Sequence, residues 1–336
     1  MKDVRVVEGV VPGKLPLDAL MAEQQPAILR GVARDWPLVQ AGLRSTAEAI
    51  AYLERFDSAL PVVGYTGAPE IGGRFFYNAD ATGLNFEAAR VALPEFLDRI
   101  AAHLDDPAGP SFYIGSTDID TYLPGLRTAN DLAADFGGVE PTVSIWIGNR
   151  TIASAHHDAS NNIACSLVGR RRFTLFPPDQ VANLYPGPLE PTPGGQVVSM
   201  VDFRDPDFTA HPRFADALAT AQVAELEPGD VLFYPALWWH HVEALDAFNV
   251  MVNYWWSPSP AFLDAPMTTL LHGLLSLRDR PEAEKRAWRA LFDYYVFGPP
   301  ELPAAHLPEA ARGNLAPLDE RKARRLRAAL LNRFNR

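Results

Sequence analysis

One cysteine, Cys165, occurs in 336 residues. That excludes an intrachain disulfide and any zinc site built on cysteine. Long hydrophobic runs are missing as well: nothing approaches the ~20 apolar residues that a membrane helix needs. The start, MKDVRVVEGVVPGKLP, lacks the uninterrupted apolar stretch of a signal peptide. The expectation is a soluble, cytoplasmic protein. There is no basic excess either, because 30 Lys+Arg stand against 41 Asp+Glu for a net charge of -11. A phosphate-seeking surface is therefore not expected, and neither nucleic acid nor a membrane is an expected partner. The exception is the stretch 320 to 336, where Arg321, Lys322, Arg324, Arg325, Arg327, Arg333 and Arg336 face only Glu320. It reads as the solvated face of a helix in a self-association element.

What is present is a globular composition, 48% hydrophobic and 10% aromatic, which can supply a large core. Residues 1 to 110 mix short helical and strand signals. Ser45-Thr-Ala-Glu48 is a capping-box pattern opening the run AIAYLERF, Leu93 to Leu104 repeats that periodicity, and Pro61 to Tyr65 and Arg74 to Tyr77 read as strands. From about residue 111 to 256 the texture changes to β-branched and aromatic runs punctuated by Pro, Gly and Asp: SFYIG, TVSIWIG, NIACSLVG, RRFTLF, VAELEPGD, VLFYP and NVMVNYWW. This pattern predicts an antiparallel sandwich or barrel. After Pro260, helical stretches are expected over 261–277, 281–295 and 318–334, with apolar faces that include Leu270, Leu271, Leu274, Trp288, Leu291 and Leu331. The chain is thus read as an α/β elaboration (1–110), a β core (111–260) and a helical segment (261–336) through which a homodimer forms.

Four of the eight histidines fall in two pairs, His156-His157 followed by Asp158, and His240-His241. In an extended segment, residues i and i+2 point the same way, so His156 and Asp158 present an imidazole and a carboxylate together. If His240 lies on a neighbouring strand, two imidazoles and one carboxylate share a face. That donor set holds Fe(II) and leaves coordination positions open. The turn signal Glu227-Pro-Gly-Asp230 feeds VLFYPALWWHHV, giving His240 a rigid mount. In GRRRF, alternation sends Arg171 to the face opposite Arg170 and Arg172.

Several ordered stretches carry a resemblance: PAILRGVARDWP (26 to 37), AHHDASNN (155 to 162), GRRRFTLFPPDQ (169 to 180), LYP (184 to 186), DFRDPDFTAHPRF (202 to 214), PGDVLFYPALWWHHV (228 to 242) and VNYWW (252 to 256). Over roughly residues 10 to 260 the chain resembles the JmjC-like, cupin-type 2-oxoglutarate oxygenases, in the branch of the hypoxia-inducible factor asparaginyl hydroxylase. The resemblance implies a mainly β fold, the double-stranded β-helix or cupin jelly roll, with helical additions at both ends. It implies that His156, Asp158 and His240 are the catalytic Fe(II) ligands and that Arg171 pairs with the distal carboxylate of 2-oxoglutarate. Tyr113, Asn162, Asn253 and Trp255 match residues that line the cosubstrate pocket, and His241 faces away or supports the ligands from behind. Trp238, Trp239 and Trp255 are expected to form an apolar enclosure.

One departure stands out: where the family commonly has a threonine three residues before the first ligand histidine, this chain has Ala153, with Thr151 and Ser154 nearby. The implied function is hydroxylation of a side chain in a protein or peptide, with Fe(II) as cofactor, 2-oxoglutarate and dioxygen as cosubstrates, and succinate and CO2 released. A small-molecule substrate is also compatible with the motifs. Two other readings are a metal-binding cupin that does not use 2-oxoglutarate and a non-catalytic interaction protein that retains the jelly roll.

Overall fold

The period-two alternation of the central chain becomes two facing sheets. The computed structural model describes residues 1–335, and its contacts divide the chain into Met1–Ser257 and Pro258–Arg336. In the first unit the strands are β1 (Lys2–Asp3), β2 (Arg5–Val7), β3 (Ala27–Leu29), β4 (Val62–Gly67), β5 (Arg74–Phe75), β6 (Phe86–Val91) and β7 (Ser111–Asp118). They continue as β8 (Thr142–Gly148), β9 (Ile152–His157), β10 (Asn161–Val168), β11 (Arg171–Phe176), β12 (Gln222–Leu226), β13 (Val231–Tyr234), β14 (Trp239–Ala244) and β15 (Asn249–Trp256).

Among the described residues, one sheet has the order β1-β12-β11-β14-β9-β5 and the other β2-β3-β13-β10-β15-β8-β7-β4-β6. The strands from β7 onward pair antiparallel, and the parallel pairs β1–β12, β2–β3 and β5–β9 each use a strand from the first 110 residues. The result is a mainly β jelly roll of two mixed sheets, with helices before and after it. The N-terminal residues extend both sheets rather than only packing on them.

Alternation sorts the core into layers. Between the sheets lie Phe173, Leu175, Ala224, Leu226, Ala164, Leu232, Tyr234 and Met251. On the outer face of the larger sheet, Ile163, Cys165, Leu167, Val252 and Tyr254 pack with residues of helices α1 (Leu17–Glu23), α2 (Pro37–Arg44), α3 (Thr46–Glu54) and α4 (Leu93–Ala101). Both faces of β10 are therefore covered, and all eight of its residues are buried. The Ser45 hydroxyl accepts from the Glu48 amide at the start of α3, as the capping pattern predicts.

The EPGD turn is tied to the N-terminal segment. Asp230 closes its own turn by accepting from the Glu227 amide (3.0 Å), and it also accepts from the Gly31 amide (2.9 Å) and Arg30 (2.6 Å). A short helix, α5 (Ile119–Tyr122), follows β7, and α6 (Phe214–Thr220) precedes β12. In the second unit, α7 (Pro266–Ser276), α8 (Glu282–Phe292) and α9 (Glu320–Phe334) appear where the helical pattern placed them. Asp319 caps α9 by accepting from the Lys322 amide (2.8 Å).

Candidate functional site

β9 and β14 are antiparallel neighbours, and their register sets His240 opposite His156. The two rings lie 4.2 Å apart between centroids. Asp158 follows β9 directly and brings its Oδ2 to 3.6 Å from His240 Nε2. One donor atom from each of the three residues falls within 4.8 Å of the others. Each histidine turns its Nδ1 to a backbone carbonyl two residues back, His156 to Ser154 (2.9 Å) and His240 to Trp238 (3.0 Å). That bond places the proton on Nδ1 and leaves Nε2 with a free lone pair, as a metal-binding imidazole requires. Burial, with His156 beside it, pushes the His240 pKa down, so the ring is neutral at physiological pH. Two imidazoles that turn Nε2 away from their backbone bonds and a carboxylate within one cluster fit a divalent transition metal.

These residues sit in a cavity of about 550 Å³ between the two sheets. Its lining includes Arg171, Tyr113, Asn162, Asn253 and Trp255, so the structure brings the expected metal ligands and cosubstrate residues into one space. Alternation along β11 works as expected. Arg170 pairs with Asp246 and Arg172 with Glu225 at the surface, while Arg171 turns inward and is 2% exposed. Among the described residues, its Nε and Nη2 are buried with no hydrogen-bond partner. Burial lowers its pKa to about 10, still charged at neutral pH. Burial likewise raises the Tyr113 phenol, partly offset by Arg171. A buried, charged guanidinium with unmet donors is costly unless an anion joins it. A small carboxylate in the cavity would satisfy it bidentately.

Asn162 and Trp255 both donate to Asp158 Oδ2, at 3.3 and 3.2 Å. Thr151 lines the same cavity as Ala153, two residues earlier on the same side. Two expected wall residues lie elsewhere. Trp239 packs with Phe176, Phe214 and Ala155 on the other face of its strand and meets His157 edge-on at 4.8 Å, and Trp238 belongs to the packed layer between the sheets. The cause is alternation: with His240 pointing into the cavity, Trp239 must point away.

His241 also faces away, at a register shift between His240 and Val242. It is 3% exposed and stacks on Phe203 at 4.4 Å. Burial, then the positive charge of Arg74, lower its pKa to about 3. Sequence reasoning missed Tyr234, which lines the cavity with its ring 4.7 Å from His240, and Trp146, which lines it from β8. The VLFYP run carried the signal for Tyr234: a tyrosine ending a buried strand just before the ligand strand.

The comparisons with known proteins agree with this geometry. Residues 13–262 match the family model described as a cupin-like domain. The chain is 27% identical over 252 residues to lysine-specific demethylase 8 of Xenopus tropicalis, and 29% identical over 256 residues to HSPB1-associated protein 1 of Rattus norvegicus. Each of these alignments covers 71% of this chain and 50% of the relative, so the chain spans about half the length of these curated relatives. With HSPB1-associated protein 1 of Homo sapiens the identity is 34% over 167 residues, 46% of this chain and 33% of that one. Two facing sheets, a clustered His-Asp-His set and a family match across both sheets lead to one conclusion: the chain belongs to the cupin-like, JmjC-related family, whose members are of the Fe(II)/2-oxoglutarate oxygenase type.

Proposed function

We propose that this protein is an Fe(II)- and 2-oxoglutarate-dependent dioxygenase that hydroxylates a side chain of a protein or peptide. The observation that carries this reading is Arg171: a buried guanidinium whose Nε and Nη2 have no hydrogen-bond partner among the described residues, in the cavity that also holds the His-Asp-His cluster. When bound, Fe(II) and 2-oxoglutarate supply oxidation of a C–H bond by dioxygen, with release of succinate and CO2. The chain's own residues hold and shield these groups. His156, Asp158 and His240 hold the metal and leave open positions. Arg171 grips the distal carboxylate, Tyr113 lies beside it, and Thr151 offers the hydroxyl that Ala153 cannot. Asn162, Asn253 and Trp255 line the space between these two ends, and Phe173, Val242 and Met251 exclude water from the cavity.

A polypeptide substrate is supported by the relative whose name records association with another protein, HSPB1. The relatives named as lysine-specific demethylases support a second reading, oxidation of an N-methyl group. Release of formaldehyde alongside succinate separates the two. Turnover assays with candidate peptides test the proposal: succinate formation stimulated by a peptide in the wild type and absent in a folded Asp158→Ala variant supports it. Equal turnover in the two proteins contradicts it.

We also propose a homodimer built on residues 258–336, in a cytoplasmic protein. In that segment only Pro303, Ala304 and Ala323 are buried among the described residues. Leu270, Leu271, Leu275, Trp288, Phe297, Leu331 and Phe334 are exposed. Helices with so much uncovered apolar surface need a partner. A second copy offers complementary charge, because the first turn of α8 carries Glu282 and Glu284 while α9 carries Arg321, Lys322, Arg324 and Arg325.

A further inference from the structure

Trp146 lies on β8, two strands away from Asn162, yet a chain of hydrogen bonds runs from its indole to Asp158. Trp146 Nε1 donates to Asn253 Oδ1 (2.6 Å), Asn253 Nδ2 donates to Asn162 Oδ1 (3.4 Å), and Asn162 Nδ2 donates to Asp158 Oδ2 (3.3 Å). The β8–β15–β10 register explains how the three side chains meet. Trp146 pairs with Met251, and Ala164 pairs with Asn253, so Trp146, Asn253 and Asn162 are diagonal neighbours on the inward face.

The direction of this chain is forced. An indole N–H can only donate and an ionised carboxylate can only accept, whereas each amide can present either end. With Trp146 donating, Asn253 must turn Oδ1 toward it and Nδ2 toward Asn162. Asn162 must then turn Oδ1 back and Nδ2 toward Asp158. Asn162 and Asn253 are both 1% exposed, so neither amide has ready access to water as an alternative partner.

The Trp146 ring is itself clamped. It stacks on Tyr113 (5.9 Å, 29° between planes) and meets Trp255 edge-on (5.8 Å, 84°), and Trp255 donates separately to Asp158 Oδ2.

We propose that Trp146 is a positioning residue for the metal: it anchors the far end of the Asn253–Asn162 relay and so fixes the rotation of the Asp158 carboxylate. The inference rests on the reading of His156, Asp158 and His240 as metal ligands. Without the Trp146 donor, Asn253 Oδ1 loses its partner and the relay is held from the Asp158 end alone, so Asn253 can turn away and Asn162 loses the support that keeps its Nδ2 on Asp158 Oδ2. The one anionic ligand then keeps only the Trp255 bond as a firm restraint on its rotation.

The test is a double-mutant cycle on the affinity for Mn(II), followed by the signal of the free ion in electron paramagnetic resonance, with no turnover required. Trp146→Phe keeps an aromatic ring between Tyr113 and Trp255 but removes the donor, and Asn253→Leu removes the relay at nearly constant volume. Each variant is first matched to the wild type in unfolding temperature and near-ultraviolet dichroism. Should Trp146→Phe fold poorly, Asn162→Leu replaces it in the cycle with Asn253→Leu, because it interrupts the same relay one link nearer Asp158.

Each single variant is expected to bind Mn(II) about tenfold more weakly, the scale on which groups that orient a ligand act. The double variant is expected to be no weaker than either single one, because both break one chain. Losses that multiply in the double variant, or an unchanged affinity in Trp146→Phe, overturn the relay while leaving the metal site standing. Failure of the wild type to bind Mn(II), or equal binding by Asp158→Ala, overturns the metal reading and the relay with it.

Discussion

His156 and His240 face each other across the β9–β14 pair with ring centroids 4.2 Å apart, each held through Nδ1 by its own backbone. Burial, and then the neighbouring His156, disfavour protonation of His240. The geometry therefore presents two lone pairs to a metal before any metal arrives. The cost is sensitivity to acid.

That cost is shared by His241, whose ring nitrogens have no hydrogen-bond partner among the described residues and whose pKa is lowered to about 3. A histidine depressed on folding binds its proton in the unfolded chain first, so stability is lost as pH falls from about 6.5 toward the folded value. Each such group adds a slope of at most about 1.4 kcal/mol per pH unit across that window. In the metal-free protein the unfolding temperature should fall steadily between pH 6.5 and 4. His241→Phe, which can keep the stack on Phe203, should flatten that fall. An identical pH profile in the variant would remove His241 from this account.

Arg171 predicts a trade between stability and binding. Its buried Nε and Nη2 have no hydrogen-bond partner among the described residues, and the penalty on the charge is present at every pH below about 10. Arg171→Met fills a similar volume without charge and should stabilise the ligand-free protein by about 1–3 kcal/mol. It should also abolish the rise in unfolding temperature produced by 2-oxoglutarate. Thermal unfolding with and without 2-oxoglutarate reads both effects; destabilisation of the ligand-free variant would show that Arg171 is satisfied by the protein itself.

Thr151 is the residue that answers the departure at Ala153. Both line the cavity, and Thr151 brings a hydroxyl where Ala153 brings only a methyl group. Thr151→Val should weaken 2-oxoglutarate binding about five- to tenfold, the worth of one hydrogen bond to a charged group, and leave Mn(II) affinity unchanged. The paired titrations distinguish this from a general disturbance of the cavity, which would weaken both.

The segment 258–336 should hold two chains together. Light scattering on the wild type is expected to give twice the mass of one chain, and a Leu271→Asp, Trp288→Glu double variant the mass of one chain, with unchanged Mn(II) affinity. A monomeric wild type contradicts the dimer proposal.

Much of this site was legible because its signals are local. His156 and Asp158 share a side at spacing two, Arg171 alternates with Arg170 and Arg172, and EPGD announces the turn before the ligand strand. The family-wide stretches then set these motifs in order. Trp238 and Trp239 were misplaced because adjacency in sequence suggested a common wall, whereas alternation sends Trp239 to the opposite face from His240. Tyr234 and Trp146 escaped notice for a different reason. Their contribution depends on which strands become neighbours and in what register, and no local pattern encodes that Trp146 lies diagonal to Asn253 and Asn253 to Asn162. The extension of both sheets by the first 110 residues was hidden likewise, since β1, β2 and β5 are only two or three residues long and the parallel partners of β1 and β5 are far away in sequence.

The central claim is that one cavity holds both Fe(II) and 2-oxoglutarate. The most direct test is an anaerobic titration of the purified protein with the two together, following the visible charge-transfer absorption of their chelate, with His156→Ala and Arg171→Ala beside the wild type. The account predicts a saturable band in the wild type, none in His156→Ala, and one that needs far more 2-oxoglutarate in Arg171→Ala. Iron binding without the band in the wild type would contradict the 2-oxoglutarate assignment, and absence of iron binding would contradict the oxygenase reading as a whole.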